Sequence, residues 1–312
     1  MDARALAMGL AFAAMWSSAF TSARIIVEHA PPLTALSVRF LISGALGIGI
    51  ALALGQRVRL SRGQWRAVIV FGICQNALYL GLNFVAMQWV EASLAAIIAS
   101  TMPLLVALAG WLFFGERPGA LAVLGLAAGV AGVALIMGAR LGSGGTDVLG
   151  VALCVIGVIS LTVATLSVRS AMADAKGVLM IVGLQMIVGA AALALPALLL
   201  ESWSVTWTPA LVWAFLYTTL VPGLIATLVW FLLVGRIGAV KAATFHFLNP
   251  FLGVAIAAAL LGERLGLLDI VGVVIIGAGI LAVQLSRTGQ RPTAPARTPA
   301  TPPPSSPPGP TA

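Results

Sequence analysis

Charged side chains are scarce in this 312-residue sequence. Asp, Glu, Lys and Arg make up 8% of the chain, against 61% for apolar residues, whereas soluble domains carry about 25% charged residues. So few charges cannot cover a water-exposed surface, which excludes an ordinary soluble domain. The net charge of +8 does not indicate nucleic-acid binding, because the basic residues are dispersed at the ends of apolar segments instead of clustering on one polar face.

Cysteine and histidine are also rare, with two of each. Cys74 and Cys154 lie inside apolar runs, and two separated cysteines provide neither a disulfide framework nor the spacing of a metal site. The sequence contains no HExxH, no GxSxG, no Walker loop and no pair of aspartates within an apolar run, which are groups that an enzyme or an ATP-driven pump would need. We therefore expect no enzyme activity, no metal and no cofactor.

Long apolar runs follow one another along most of the chain. A run of about 20 residues spans the hydrocarbon core of a bilayer as a helix. Dividing the sequence at charges, prolines and glycines predicts an all-α integral membrane protein with ten transmembrane helices, at residues 5–27, 33–54, 66–87, 91–114, 118–139, 147–169, 177–200, 209–233, 238–262 and 266–286.

Lys and Arg are distributed unevenly between the two sides of this arrangement. With the N-terminus in the cytoplasm, thirteen of them fall on the cytoplasmic side and three, Arg24, Arg140 and Arg264, on the other. Cytoplasmic ends are the ones enriched in basic residues, so we expect both termini in the cytoplasm of a bacterium and the helices in its inner membrane. Residues 287–312 are rich in proline and poor in large apolar side chains, which predicts a disordered cytoplasmic tail.

The sequence contains an internal duplication. Gly-Glu-Arg at 115–117 recurs at 262–264, an offset of 147 residues (263 − 116), and the same offset pairs Pro103 with Pro250. Because each copy has five helices, the second copy enters the bilayer from the opposite side. Transporters often use such inverted repeats, since two related halves can open one site alternately to either face.

The predicted domains follow from this duplication. They are a first five-helix repeat at 1–141, a second inverted five-helix repeat at 142–286, and the tail at 287–312.

Short motifs in both repeats resemble the EamA family of the drug/metabolite transporter superfamily. They are Met-Trp-Ser-Ser-Ala-Phe at 15–20, Ser-Val-Arg-Phe-Leu-Ile at 37–42, Asn-Phe-Val-Ala at 83–86 before Glu-Ala-Ser at 91–93, and a proline twelve residues before each Gly-Glu-Arg glycine. Ser17 replaces the glycine that is usual in the first motif. The resemblance covers Leu6 to Ser286 and implies ten helices in two inverted repeats, with movement of metabolites such as amino acids, often outward.

Polar side chains at membrane depth are costly unless they face a cavity or a partner, so each is a candidate for the binding site. Asn76, Tyr79 and Asn83 are spaced i, i+3, i+7 and share one helix face, which predicts a pore-lining stripe; interhelical hydrogen bonding is the alternative. Arg39 lies about six residues inside its helix. It either binds a substrate carboxylate or anchors carbonyl groups of a neighbouring helix.

The ninth helix carries a second group of candidates. His246 and Asn249 are one turn apart, just before Pro250. Such a histidine could exchange a proton near neutral pH, or remain neutral in hydrogen bonds with its neighbours. Pro103 and Pro250 are candidate hinges, because a proline within a helix frees a backbone carbonyl.

Aromatic side chains complete the candidate site. They could form the walls of a cavity for a largely apolar ligand, with packing or contact with lipid as the alternative. The set is Trp16 and Phe20, with Ser17 beside them, on the first helix and Trp213, Tyr217 and Trp230 on the eighth.

The function predicted from these features is secondary transport without ATP, with export of amino acids or related small metabolites by alternating access. Efflux of diverse drugs or lipophilic cations is the alternative function, and a channel is a third one. The expected partners are a small-molecule substrate and the lipid bilayer, not nucleic acid, and the protein is expected to be a monomer or a weak oligomer.

The inverted topology makes a direct prediction about sidedness. Reporter domains fused after Gly115 and after Gly262 should lie in opposite compartments, because an odd number of helices separates the two positions. Activity of a cytoplasm-specific reporter at Gly115 alone is the expected result. Equal activity at both positions would contradict the inverted arrangement.

Overall fold

The computed structural model describes residues 2–56, 60–142, 147–168, 177–238, 242 and 244–289. Ten helices in these ranges are long and apolar enough to cross a membrane, and the same ranges contain no strand. They are α1 (Ala3–Val27), α2 (Pro32–Ala53), α3 (Arg62–Ala86), α4 (Ala92–Phe114), α5 (Ala120–Arg140), α6 (Val148–Ser167), α7 (Val178–Leu200), α8 (Pro209–Ile237), α9 (Thr244–Leu261) and α10 (Leu267–Ser286). The predicted all-α class and the ten spans are confirmed.

Two helices extend four residues beyond the prediction, for local reasons. Helix α3 begins four residues early, because the Ser61 hydroxyl accepts a hydrogen bond from the Gln64 N–H and the Gln64 side chain accepts one from the Ser61 N–H. This reciprocal capping box stabilises a helix start. Helix α8 continues to Ile237 and ends at Gly238, whose φ of 81° breaks the helix. The predicted tail beyond residue 289 lies outside the described residues.

The start of α1 and the end of α8 meet at one face of the bundle. Asp2 caps α1 by accepting a hydrogen bond from the Ala5 N–H at 3.0 Å. Its carboxylate also pairs with Arg236, and the hydrogen bond from that guanidinium lowers the pKa of Asp2 to about 2. The contact places the first and eighth helices side by side at this end.

The closest helix packing joins α5 to α10. A Cβ added to Gly125 would lie 2.6 Å from the Gly279 carbonyl oxygen, and one added to Gly132 would lie 2.9 Å from that of Gly272. Residue numbers rise along α5 as they fall along α10, so the two helices are antiparallel. Small residues allow such close backbone approach between membrane helices.

A second antiparallel pair joins α2 to α7 in the same way. The Ser37 hydroxyl donates to the Ala190 carbonyl at 2.9 Å, and a Cβ on Gly44 would lie 3.0 Å from the Gly183 carbonyl oxygen. The 147-residue offset relates α2 to α7 and α5 to α10. Each pair therefore joins a helix to its own counterpart.

Two helices contain a wide turn with π-helical hydrogen bonding. In α3 it covers Gly72–Leu80, and in α8 it covers Thr219–Ile225. The starting positions differ by 147 residues (219 − 72), which is the offset of the sequence repeat. π-Helical turns inside α-helices occur frequently at functional sites.

The two candidate hinge prolines occupy equivalent first turns. Pro103 lies at the start of the segment Met102–Phe114, after a break at Thr101, and Pro250 lies at the start of Asn249–Leu261, after a short 3-10 turn. A proline in a first turn costs no helical hydrogen bond. Each proline therefore directly follows an irregular piece of backbone.

The close approach of α5 and α10 predicts a sharp difference between two glycines of α5. Gly125→Leu should destabilise the fold by about 1–3 kcal/mol, the usual cost of overpacking, because its side chain would collide with the backbone of α10. Gly138→Leu is the matched control, since nothing lies within 4 Å of a Cβ at that position. The stability of each purified variant is measured by unfolding in detergent. Equal stabilities of Gly125→Leu and Gly138→Leu would contradict this packing.

Candidate functional site

Eight of the ten sequence-predicted binding residues fall into three groups in the described part of the chain. One group lies where α1, α8 and α9 meet, the second is Arg39 beside the wide turn of α8, and the third is the polar stripe on α3. Pro103 and Pro250 lie on α4 and α9.

Aromatic rings hold the first group together. Trp230 of α8 lies 4.8 Å from Phe12 of α1 and 5.0 Å from His246 of α9, measured between ring centroids. Phe12 also contacts Trp16 at 5.7 Å and His246 at 5.4 Å, the latter edge to face. Tilted and edge-to-face contacts of this length are favourable for aromatic side chains. We call Phe12, Trp16, Trp230 and His246 the aromatic cluster.

A short chain of polar groups adjoins the aromatic cluster. The Asn249 amide lies 2.9 Å from Nδ1 of His246. The Ser17 hydroxyl donates to the Asn249 carbonyl and side-chain oxygens at 3.4 and 3.5 Å. These longer contacts link α1 to α9 and place three predicted site residues together, beside Pro250.

Arg39 forms the second group. It is only 5% exposed, and its Nε atom has no hydrogen-bond partner among the described residues. Its guanidinium lies 5.0 Å from the centre of the Phe40 ring, and a Cβ on Gly223 would lie 3.4 Å from one of its terminal nitrogens. Gly223 belongs to the wide turn of α8, so the positive charge faces a distorted helix turn.

A serine ties the same turn to α2. The Ser43 hydroxyl, one helical turn after Arg39, donates to the Thr219 carbonyl at 3.1 Å. Pro222 lies within the turn and has no N–H to donate. The alternative role of Arg39, anchoring a carbonyl of this helix, has no hydrogen bond to support it among the described contacts.

The polar stripe on α3 is divided between two neighbouring helices. Asn76 donates to the Gln185 carbonyl of α7 at 3.0 Å, which is an interhelical hydrogen bond. Tyr79 and Asn83 instead face Gly157 of α6, and the Asn83 amide donates to the Tyr79 carbonyl at 2.8 Å. The carbonyl oxygen of the Asn83 side chain is buried without a partner among the described residues.

Phe20 and Tyr217 lie apart from the aromatic cluster. Phe20 is buried in the main apolar core. Tyr217 is 39% exposed, and its hydroxyl lies 2.7 Å from the Ser18 hydroxyl. That contact joins α8 to α1.

Sequence reasoning left Phe12 out of the candidate site and considered Trp230 only as one aromatic among several on α8. Phe12 is four residues before Trp16, so their shared helix face was a usable signal. The contact between α1 and α8 could not be predicted, because the spacing of residues within one helix carries no information about which helices lie beside it.

Charged groups gather at the end of the bundle where α4 begins. Arg140 donates to the Asp269 carboxylate at 2.9 and 3.1 Å and also pairs with Glu91. Glu263, from the turn after α9, accepts hydrogen bonds from the N–H groups of Ala92 at 2.8 Å and of the next residue at 3.0 Å.

An open depression of about 430 Å³ lies beside these charges, bordered by Trp89, Leu94, Arg140, Arg264 and Leu268. Within the described ranges, no group of three His, Cys, Asp or Glu side chains is placed to hold a metal ion.

The EamA-like transporter family matches the chain twice, at residues 3–138 and 148–285. The chain is similar to the uncharacterized transporter YvbV of Bacillus subtilis, with 29% identity over 278 residues, 89% of this chain and 90% of that protein. A shorter match, 34% identical over 115 residues, covers 37% of this chain and 40% of the aromatic amino acid exporter YddG of Ancylobacter novellus.

The fold has also been observed in a crystal structure. That structure superimposes with a TM-score of 0.66 over 92% of this chain and 99% of the other, at 24% identity. With ten membrane-spanning helices and two family matches that together cover nearly all of them, this multi-pass membrane protein belongs to the EamA-like transporter family.

Proposed function

We propose that this transporter exports amino acids or related small metabolites across the bacterial inner membrane by alternating access, without ATP. The single observation that carries the substrate class is Arg39, a buried cation whose Nε lacks a protein partner among the described residues. A buried donor of a charged group that lacks a hydrogen-bond partner is unfavourable. A ligand carboxylate beside the guanidinium would remove that cost.

Alternating access is supported by the arrangement of helices that the sequence repeat relates to each other. Contacts of α2 with α7 and of α5 with α10 run antiparallel, which is the relation that two copies inserted in opposite orientations would have. The wide turns of α3 and α8 also begin at equivalent positions. These features support two inverted repeats, with both termini in the cytoplasm as the distribution of basic residues indicates.

The aromatic cluster supports a substrate with an apolar part. It joins three helices, of which α8 has a wide turn and α9 has a break just before Pro250. Helix segments with such irregular backbone are tolerated in membranes where they are buried in protein or line a cavity. A zwitterion with an apolar side chain would use both the cation of Arg39 and the aromatic cluster, and the relative named as an aromatic amino acid exporter agrees with that chemistry.

The aromatic cluster also favours a second candidate, efflux of lipophilic cations. Such a substrate would bind to the rings through apolar and cation–π contacts and would be repelled by Arg39. Substrate charge therefore separates the two functions.

The test is a transport screen with the purified protein in proteoliposomes, using amino acids, nucleosides and cationic dyes, with and without a pH gradient. We expect saturable counterflow of amino acids, with the highest rates for apolar and aromatic ones. Transport of the dyes alone would support the second candidate, and non-saturable flux would indicate a channel.

Arg39→Gln should reduce amino-acid transport by about tenfold or more, because a charge-assisted hydrogen bond contributes about 1.5–3 kcal/mol. Arg39→Lys keeps the charge and should retain part of the activity. Arg236→Gln is the matched control, since this arginine is partly exposed and pairs with Asp2 at the end of the bundle. Unchanged initial rates in the Arg39→Gln variant, at equal amounts of folded protein, would remove Arg39 from the site.

A further inference from the structure

We propose that the Glu263 carboxylate is a releasable contact that closes one face of the transporter. The inference rests on the proposed alternating access. The contact consists of the two hydrogen bonds that Glu263 accepts from the N–H groups of Ala92 and Ser93 at the start of α4, at 2.8 and 3.0 Å. The distribution of basic residues assigns this face to the outside.

The contact supplies a helix cap from a distant part of the chain. The first N–H groups of a helix have no partner within it, and a carboxylate at that position is favoured by both hydrogen bonding and the helix dipole. At three other helix starts the cap is local: Asp2 serves α1, Ser61 serves α3 and Thr208 serves α8.

Helix α4 has no local cap, because its N-cap residue Glu91 makes no side-chain hydrogen bond to the helix start and pairs with Arg140 instead. The start of α4 is therefore capped only while the end of α9 lies against it. Loss of the contact transfers two N–H groups and a carboxylate to water at the membrane surface, where all three can be solvated. Such a contact can open and close reversibly.

A buried hydroxyl beside the contact favours opening. The Ser93 side chain is 0% exposed, and its Oγ has no hydrogen-bond partner among the described residues. Water would bond to this hydroxyl once the face opened, and that gain offsets part of the loss of the Glu263 hydrogen bonds. The two contributions oppose each other, so the net cost of opening this contact is smaller than the loss of the Glu263 hydrogen bonds alone.

Glu201 makes a similar contact between α7 and α2, where it accepts hydrogen bonds at 2.7 Å from the N–H groups of Leu33 and Thr34. Both pairs of helices also pack along their length, since a Cβ on Gly253 of α9 would lie 2.7 Å from the Ala96 Cβ of α4. Helices α2 and α7 are each continuous, whereas α4 and α9 have breaks before their prolines. Glu201 therefore provides a control of the same chemistry on helices without such a break.

The experiment measures access to a thiol at position 93. Ser93→Cys is introduced into the full chain together with Cys74→Ser and Cys154→Ala, and intact cells are treated with a membrane-impermeant maleimide. Adding Glu263→Gln should raise the labelling rate about tenfold, the shift that a change of ~1.4 kcal/mol produces. Adding Glu201→Gln should leave the rate unchanged.

Two further measurements distinguish opening of the gate from loss of structure and from failure of the proposed function. The unfolding temperatures of the Glu263→Gln and Glu201→Gln proteins should fall by similar amounts, because each variant loses the cap of one helix. An unchanged labelling rate in Glu263→Gln, or an equal increase in Glu201→Gln, would overturn the gate. Transport is assayed in the same membranes, so that absence of any transported substrate would count against the proposed function while the labelling result still decides the gate.

Discussion

The structure depends on the fact that moving an apolar side chain from contact with lipid to contact with another apolar side chain yields little free energy. Membrane helices associate instead through close van der Waals packing and interhelical hydrogen bonds. In this protein the closest approaches are between backbones, where Gly125 and Gly132 meet Gly279 and Gly272. The exposed leucine, valine and isoleucine side chains on the outer surface can then face the bilayer, and polar contacts are left to position the helices that line the interior.

The irregular backbone lies in four helices of the described part of the chain. Wide turns occur in α3 and α8, and breaks precede Pro103 and Pro250 in α4 and α9. By contrast, α2, α5, α7 and α10 are each continuous and form the two tightly packed antiparallel pairs. Under the proposed alternating access, the packed pairs would serve as a scaffold and the irregular helices as the part that changes shape.

Much of the fold could be predicted from sequence because it follows from composition and repetition. All ten helices are apparent as apolar runs, since a bilayer imposes a minimum length on each. The early start of α3 follows from the Ser61 and Gln64 capping box, a local signal that segmentation by charge ignored. The π-helical turns had no such signal, because hydrogen bonding of that kind is selected by the neighbouring helices.

The candidate site was predictable only within single helices. Ser17, His246 and Asn249 come together as polar residues of interior helices, but the pairing of Phe12 with Trp230 depends on how α1 packs against α8. On α3 the wide turn has a further effect. One additional residue in a turn rotates the rest of the helix by about 100°, so Asn76 and Asn83 contact different helices although their spacing places them on one face.

The repeat is imperfect at one position that matters for the proposed site. Adding 147 to Arg39 gives Met186, a buried apolar residue on α7. Only the first repeat supplies a cation here, so the proposed site is not symmetric with respect to the two repeats. Substrate bound beside it would therefore meet unlike surroundings when approached from the two compartments, and the half-saturating concentration on one side of the membrane would differ from that on the other.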